Sequence, residues 1–197
     1  EDIGVKMAAY HGSCGGGGGG ASHSGGHRGV TSANPICQEP RKHASLLAEA
    51  APSGFCMFYD LAEAQAYARK VDKPLLLDFT GHTCANCREM ESRVWPDAQV
   101  KKLLMEDYVL VSLYVDEDKP LQETVITEGG KKLRTLGDSL QHVQITRYGQ
   151  FAQPFYVPAA HDLQPLLPEV GYGYQPSEEK YAAFLQEGLA AYEAQDE

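Results

Sequence analysis

From residue 60 onward, apolar and polar positions switch between a helical and a strand-like period. In DLAEAQAYARKVD (60–72), Leu61, Ala64, Ala68 and Val71 recur at helical spacing behind Asp60, an N-cap residue whose carboxylate can accept from the first free backbone N–H groups. Pro74 then opens PLLLDFT, a short, almost continuous apolar run that predicts a strand over 75–80 buried on both faces. A helix is predicted from 84 to about 94, where Pro96 ends or kinks it. A second capped amphipathic helix follows over 97–107, and YVLVSLYVD (108–116) predicts another buried strand. Strand, helix, strand in that order implies a parallel pair joined by a right-handed crossover.

The next stretch, VITEGGKKLRT, places Gly129 and Gly130 between two β-prone runs. It reads either as a small hairpin inserted in the fold or as an exposed loop. A helix is predicted over 136–148 and closed by Gly149. FAQPFYVPAAHDLQPLL predicts a strand from about 155, a turn at His161 and Asp162, and an antiparallel partner strand. A final helix over 177–194 carries the apolar stripe Tyr181, Phe184, Leu185, Leu189 and Tyr192.

Composition divides the 197 residues unequally. Residues 1–52 contain a run of six glycines (15–20), further Gly, Ser and His, and few large apolar side chains, too little to offset the entropy of ordering. The expected organisation is a flexible linker or tail over 1–54, with at most a short helix at 44–51 ended by Pro52 and Gly54, and one folded domain over 55–197. No stretch approaches the ~18 apolar residues of a membrane span, and the first residues lack the basic start and apolar centre of a signal peptide. The expectation is a soluble chain, processed or excised from a longer one. A net charge of −10 argues against nucleic acid or an anionic membrane surface as partner, since counterion release needs clustered Lys and Arg.

The chemistry is concentrated in DFTGHTCANCREME (78–91). Cys84 and Cys87 lie three apart, after a predicted strand and at the start of a predicted helix, the context of a redox pair. A thiol at the first turn of a helix faces unpaired N–H groups and the positive end of the helix dipole, which favour its thiolate. Cys84 is therefore the expected nucleophile. Cys87, one turn on and more covered, is the expected resolving thiol. The competing reading is half of a structural zinc site, completed from Cys14, His23, His27 and Cys37 in the glycine-rich segment, which offers no rigid scaffold. Cys56, among apolar neighbours, is expected to be a free, buried small hydrophobe, and five cysteines with one close pair predict no stapled framework. No metal or cofactor is expected.

An apolar strand ending in Asp-Phe, a CxxC after it, two parallel strands, then X-Pro opening a hairpin and a last helix resemble the thioredoxin fold: an α/β domain with a central mixed sheet flanked by helices. Within it, LLLDFTGHTCANCREMESRVW, YVLVSLYVDEDKPL and RYGQFAQPFYV are similar to the C-terminal domain of the bacterial DsbD thiol:disulfide interchange family. The resemblance covers about residues 55–189 and implies a disulfide reductase of the bacterial periplasm, with a tether to the inner membrane in a longer protein as a further expectation. Such a domain takes electrons from a membrane-embedded domain and passes them by transient mixed disulfides to thioredoxin-like partners.

It implies Cys84 as nucleophile, Cys87 as resolving thiol, and Asp78 and Glu91 as carboxylates that hold back thiol deprotonation and carry a proton during exchange. Glu91 reads otherwise as a solvated helix residue. Pro154 matches the cis-proline that faces the redox pair and exposes the backbone before it, so Gln153, Pro154 and Thr83 are the expected partner-binding positions. An ordinary trans proline at a strand start is the alternative. Thr83 stands where many thioredoxin-like sites carry Trp, and Ala85 and Asn86 replace thioredoxin's Gly-Pro. His82 is either a neighbour of the thiolate or a solvent-facing loop residue. A general disulfide isomerase or oxidase, or a redox-inactive interaction module, are the other functions the pattern admits.

Overall fold

The computed structural model describes residues 35–48 and 51–195. A three-stranded sheet lies at the centre, in the order β2–β1–β5, built from β1 (Leu75–Thr80), β2 (Val109–Tyr114) and β5 (Phe155–Ala159). β1 and β2 are parallel and β5 runs antiparallel to β1, which makes the sheet mixed. Phe58 extends it with a short bridge to Val111, its N–H donating to the Leu110 carbonyl and its carbonyl accepting from Ser112 N, both at 2.9 Å.

Every residue of β1, β2 and β5 is buried, as expected of strands apolar on both faces. Alternation along β1 sorts its side chains between two cores. Leu75, Leu77 and Phe79 join Val111, Leu113 and Val157 beneath helices α2 (Leu61–Val71) and α5 (Leu136–Tyr148). Leu76 joins Leu110, Tyr156, Met90, Trp95, Leu104, Tyr181 and Leu185 in the other core, which contains residues of α6 (Glu178–Glu193) and of the segment running from the redox helix to β2. Each such fully buried side chain contributes about 1.5–3 kcal/mol in transfer from water.

The two helices between β1 and β2 are less regular than their periodicity predicts. α3 (Ala85–Glu89) passes into a π-helical turn, Met90–Val94, and α4 (Ala98–Lys102) into a second one, Leu103–Asp107. The hairpin alternative holds for the segment after β2: β3 (Pro120–Ile126) and β4 (Lys132–Thr135) form a separate antiparallel pair turned at Gly130, φ 77°. Thr135 then caps α5 in a reciprocal box with Asp138. The antiparallel partner expected after His161 does not form a strand. Single bridges, Ala159 with Pro165 and Tyr156 with Tyr172, take its place, because Pro165 and Pro168 have no N–H to give a ladder.

The boundary at residue 54 needs correction. Pro35–Gln38 forms a 3-10 turn and α1 (Ala44–Leu47) a single helical turn, and both belong to the folded body. Ile36 (3 % exposed) and Leu47 (1 %) enter the two cores, and Arg41 Nη1 donates to the Met57 carbonyl at 2.8 Å. Cys37 and Cys56 form a disulfide, so Cys56 is not the free thiol expected of it, and Cys37 is committed to a bond rather than to zinc. Composition averaged over the first 52 residues hid two apolar anchors and a cysteine. Residues 1–34, with the glycine run, Cys14, His23 and His27, lie outside the described residues.

Candidate redox site

Cys84 is the N-cap of α3 and Cys87 sits in its first turn, their Cα atoms 5.2 Å apart and their sulfurs joined in a disulfide. The Cys87 N–H points at Cys84 Sγ, 3.1 Å away, one of the unsatisfied donors of the helix start that a thiolate at this position would receive. Cys84 is half-buried and Cys87 only 1 % exposed. Cys84 is therefore the more accessible of the two sulfurs.

Two carboxyl groups lie in the apolar layer on this side of the sheet. Asp78, 1 % exposed, stands on β1 directly across from Ser112 of β2, whose hydroxyl donates to Asp78 Oδ2 at 2.8 Å. Burial pushes its pKa up to about 7, against the opposing pull of the Ser112 hydrogen bond and the Arg88 charge. Glu91, 8 % exposed, is raised to about 8, first by burial, then by the Asp78 charge, while Arg88 opposes. Glu91 is thus a buried acid rather than the solvated residue its helix position allowed. Both acids change protonation near neutral pH, where a group can take a proton from a thiol and give it back.

Residues that sequence reasoning passed over complete the surroundings. Arg88 pairs with Glu91 Oε1 at 2.8 Å and donates to Thr80 Oγ1 at 3.0 Å. Ser112 had a signal: it is a lone hydroxyl inside a buried apolar run. The loop before Cys84 is tied down by the chain after β2. Asp116 accepts from His82 N at 2.9 Å and from Thr83 N at 3.5 Å. The His82 ring reaches buried Glu117 at 2.8 Å and lies 4.6 Å from the Tyr114 ring, so His82 is engaged away from solvent on one side. His82 is an exposed turn residue, as the solvent-facing alternative has it, and the tether to Glu117 is what the sequence did not show.

Of the expected partner-binding positions, Thr83 and Gln153 share one cleft, and Pro154 lies buried next to Gln153 without lining it. Thr83, Cys84 and Gln153 line a cleft of about 400 Å³ with Asn86, Val115 and Asp116. The Gln153–Pro154 peptide bond is cis and Pro154 is buried. Gln153 Nε2 donates to the Phe151 carbonyl at 2.7 Å, and fully buried Gln144 donates to the Ala152 carbonyl at 2.8 Å, which fixes the loop ahead of the proline. The assembly has what dithiol/disulfide exchange requires: an accessible sulfur at a helix start, a covered second sulfur within bonding reach, proton-carrying groups, and a cleft beside them.

Among solved structures, the chain is similar to DsbH oxidoreductase (18% identity, TM-score 0.48, covering 68% of this chain and 85% of that one). It is also similar to a thioredoxin from Thermus thermophilus (20% identity, TM-score 0.47, 72% and 92% covered). A third likeness is to the C-terminal domain of DsbD from Neisseria meningitidis in the reduced form (15% identity, TM-score 0.47, 67% and 99% covered). No curated protein matches. The family model described as thioredoxin-like matches residues 57–158, just over half of the chain and the whole stretch from the Phe58 bridge into β5, and on that match the protein belongs to the thioredoxin-like family.

Proposed function

We propose that the protein is a thiol:disulfide oxidoreductase working in the reducing direction, a DsbD-like relay that passes electrons to thioredoxin-like partners in the bacterial periplasm. The observation that carries this reading is the burial of Asp78 and Glu91 on the side of the sheet that supports the Cys84–Cys87 pair. A poorly solvated site disfavours a nearby thiolate, and each of these acids adds to that once it is ionised. Disfavouring the thiolate destabilises the dithiol relative to the disulfide, and a dithiol so placed is a better reductant. The second disulfide, Cys37–Cys56, agrees with an oxidising compartment.

In the exchange, Cys84 thiolate attacks one sulfur of the partner disulfide. That S–S bond breaks as the Cys84–partner bond forms, and the partner's other sulfur leaves as a thiolate that takes up a proton. Cys87, deprotonated toward a carboxylate, then attacks Cys84 Sγ. The partner leaves as a dithiol and Cys84–Cys87 closes, two electrons and two protons having passed to the partner.

Equilibration with glutathione buffers tests the proposal. A reductase is expected to poise near thioredoxin, at about −270 mV. A value above about −180 mV would make it an oxidase or isomerase, and a pair inert to the buffers a redox-inactive module.

A further inference from the structure

We infer that Arg88, the residue after the second cysteine, is a positioning residue for the exchange: its guanidinium clamps the Glu91 carboxylate to the ends of the two parallel strands and so supplies the redox helix with a charge that Glu91 switches on and off. This rests on the oxidoreductase reading and deepens it by assigning the pH control of the same site.

The geometry is a bridge of several partners. Arg88 Nη2 reaches Glu91 Oε1 at 2.8 Å within its own helical segment, and Thr80 Oγ1, on the last residue of β1, at 3.0 Å. The guanidinium also hydrogen-bonds the Tyr114 hydroxyl at the end of β2. A planar fork with five donors can hold three acceptors in different directions, which an ammonium on a flexible stem does poorly. Glu91 itself sits in the π-helical turn, whose wider winding alters which side chains face the core relative to an uninterrupted α-helix. The groups that face Glu91 are Asp78 from β1, Arg88 from α3, Tyr114 from β2, Tyr156 from β5 and Tyr59 ahead of α2. Arg88 is the only cation among them.

The consequence follows from counting charge. While Glu91 is protonated, the Arg88–Glu91 pair carries a net positive charge one residue from Cys87, which favours a thiolate in the pair. Once Glu91 ionises, the pair is neutral and that help ends. Burial and the Asp78 charge put this change close to pH 8, with Arg88 acting against both.

Two readouts test it in Arg88→Met and Arg88→Lys. The first is the carboxyl carbon resonance of Glu91 against pH in the oxidised protein, which does not require activity. The second is the rate at which the reduced protein attacks oxidised glutathione across the same pH range. In Arg88→Met the Glu91 midpoint should rise by about one pH unit. The rate should fall about threefold to tenfold below pH ~8 and approach the wild type between about pH 8 and 9, where the wild-type pair and the still-protonated Glu91 of the variant are both neutral. Arg88→Lys, which keeps the charge, should recover at least half of both effects. An unmoved Glu91 midpoint in Arg88→Met, a rate loss uniform in pH, or a Lys variant indistinguishable from Met would overturn the inference. A wild type that never attacks glutathione would defeat the oxidoreductase reading, and the carboxyl titration would still decide the role of Arg88.

Discussion

Replacing Asp78 by asparagine keeps the side chain's shape and an acceptor for the Ser112 hydroxyl, and removes the titration. A carboxyl whose folded pKa lies above its unfolded value keeps its proton longer in the native state. Its stabilising contribution is therefore full below the unfolded value and is lost as pH rises through the folded one. For Asp78 that window runs from 3.8 to about 7. A shift of this size corresponds to about 4 kcal/mol in all, of which about 2–3 kcal/mol disappears between about pH 5 and pH 8. The Asp78 charge also raises the Glu91 pKa, so the substitution should shrink the Glu91 contribution as well. Urea unfolding of the oxidised protein isolates the effect, because Cys84 and Cys87 do not titrate while joined. The wild type should lose stability steadily across this range, and Asp78→Asn should hold a flatter curve and be the more stable of the two at about pH 8. Parallel curves would mean that Asp78 is already ionised in the folded protein, and the account of the site given above would fail with it.

The remaining predictions concern the two cysteine pairs. Replacing both Cys37 and Cys56 by serine opens a loop of 19 residues, which should cost about 3 kcal/mol by chain entropy and lower the thermal midpoint by about 6–12 °C; a change under about 2 °C in circular dichroism would show that the N-terminal anchor is not held by this bond. Cys87→Ala should accumulate a mixed disulfide through Cys84 when mixed with an oxidised thioredoxin-like partner, and Cys84→Ala should trap little, because Cys87 is 1 % exposed. A non-reducing gel with mass analysis reads both, and trapping through Cys87 in preference to Cys84 would reverse the assigned order of attack.

Much of the fold was legible because several elements carry their own signals. The stretch 75–80 is continuous in apolar residues and 136–148 is bounded by a capping Thr and a Gly that adopts φ 65°, and both elements stand where the sequence puts them. The redox pair was legible for the same reason, since strand, CxxC and helix are contiguous. What stayed hidden was non-local or averaged away. The π-helical turns leave an i+3/i+4 pattern almost unchanged while altering which side chains face the core. The Cys37–Cys56 bond joins residues 19 apart through a segment whose composition is dominated by its glycine-rich neighbour. Arg88 looked like any basic residue on a helix, since its significance comes from Thr80 and Tyr114 on two different strands.

The placement of Asp78 shows how closely chemistry depends on register here. Because side chains alternate across a strand, Asp78 shares its face of β1 with Leu76 and belongs to the layer that holds Met90, Trp95 and Glu91. A slip of one residue would turn it toward α2 and α5, away from the cysteines, and leave a carboxyl among Phe58, Leu77 and Val111 with no hydroxyl opposite. Two pairings oppose such a slip. Asp78 faces Ser112 across the parallel ladder and Tyr156 across the antiparallel one. The hydroxyl at 112 does more than satisfy a buried acid, because a one-residue slip would part it from the Asp78 carboxyl, which left unpaired would cost about 1–3 kcal/mol. The polar pair that places a buried carboxyl on this side of the sheet therefore also selects the strand alignment that keeps it there.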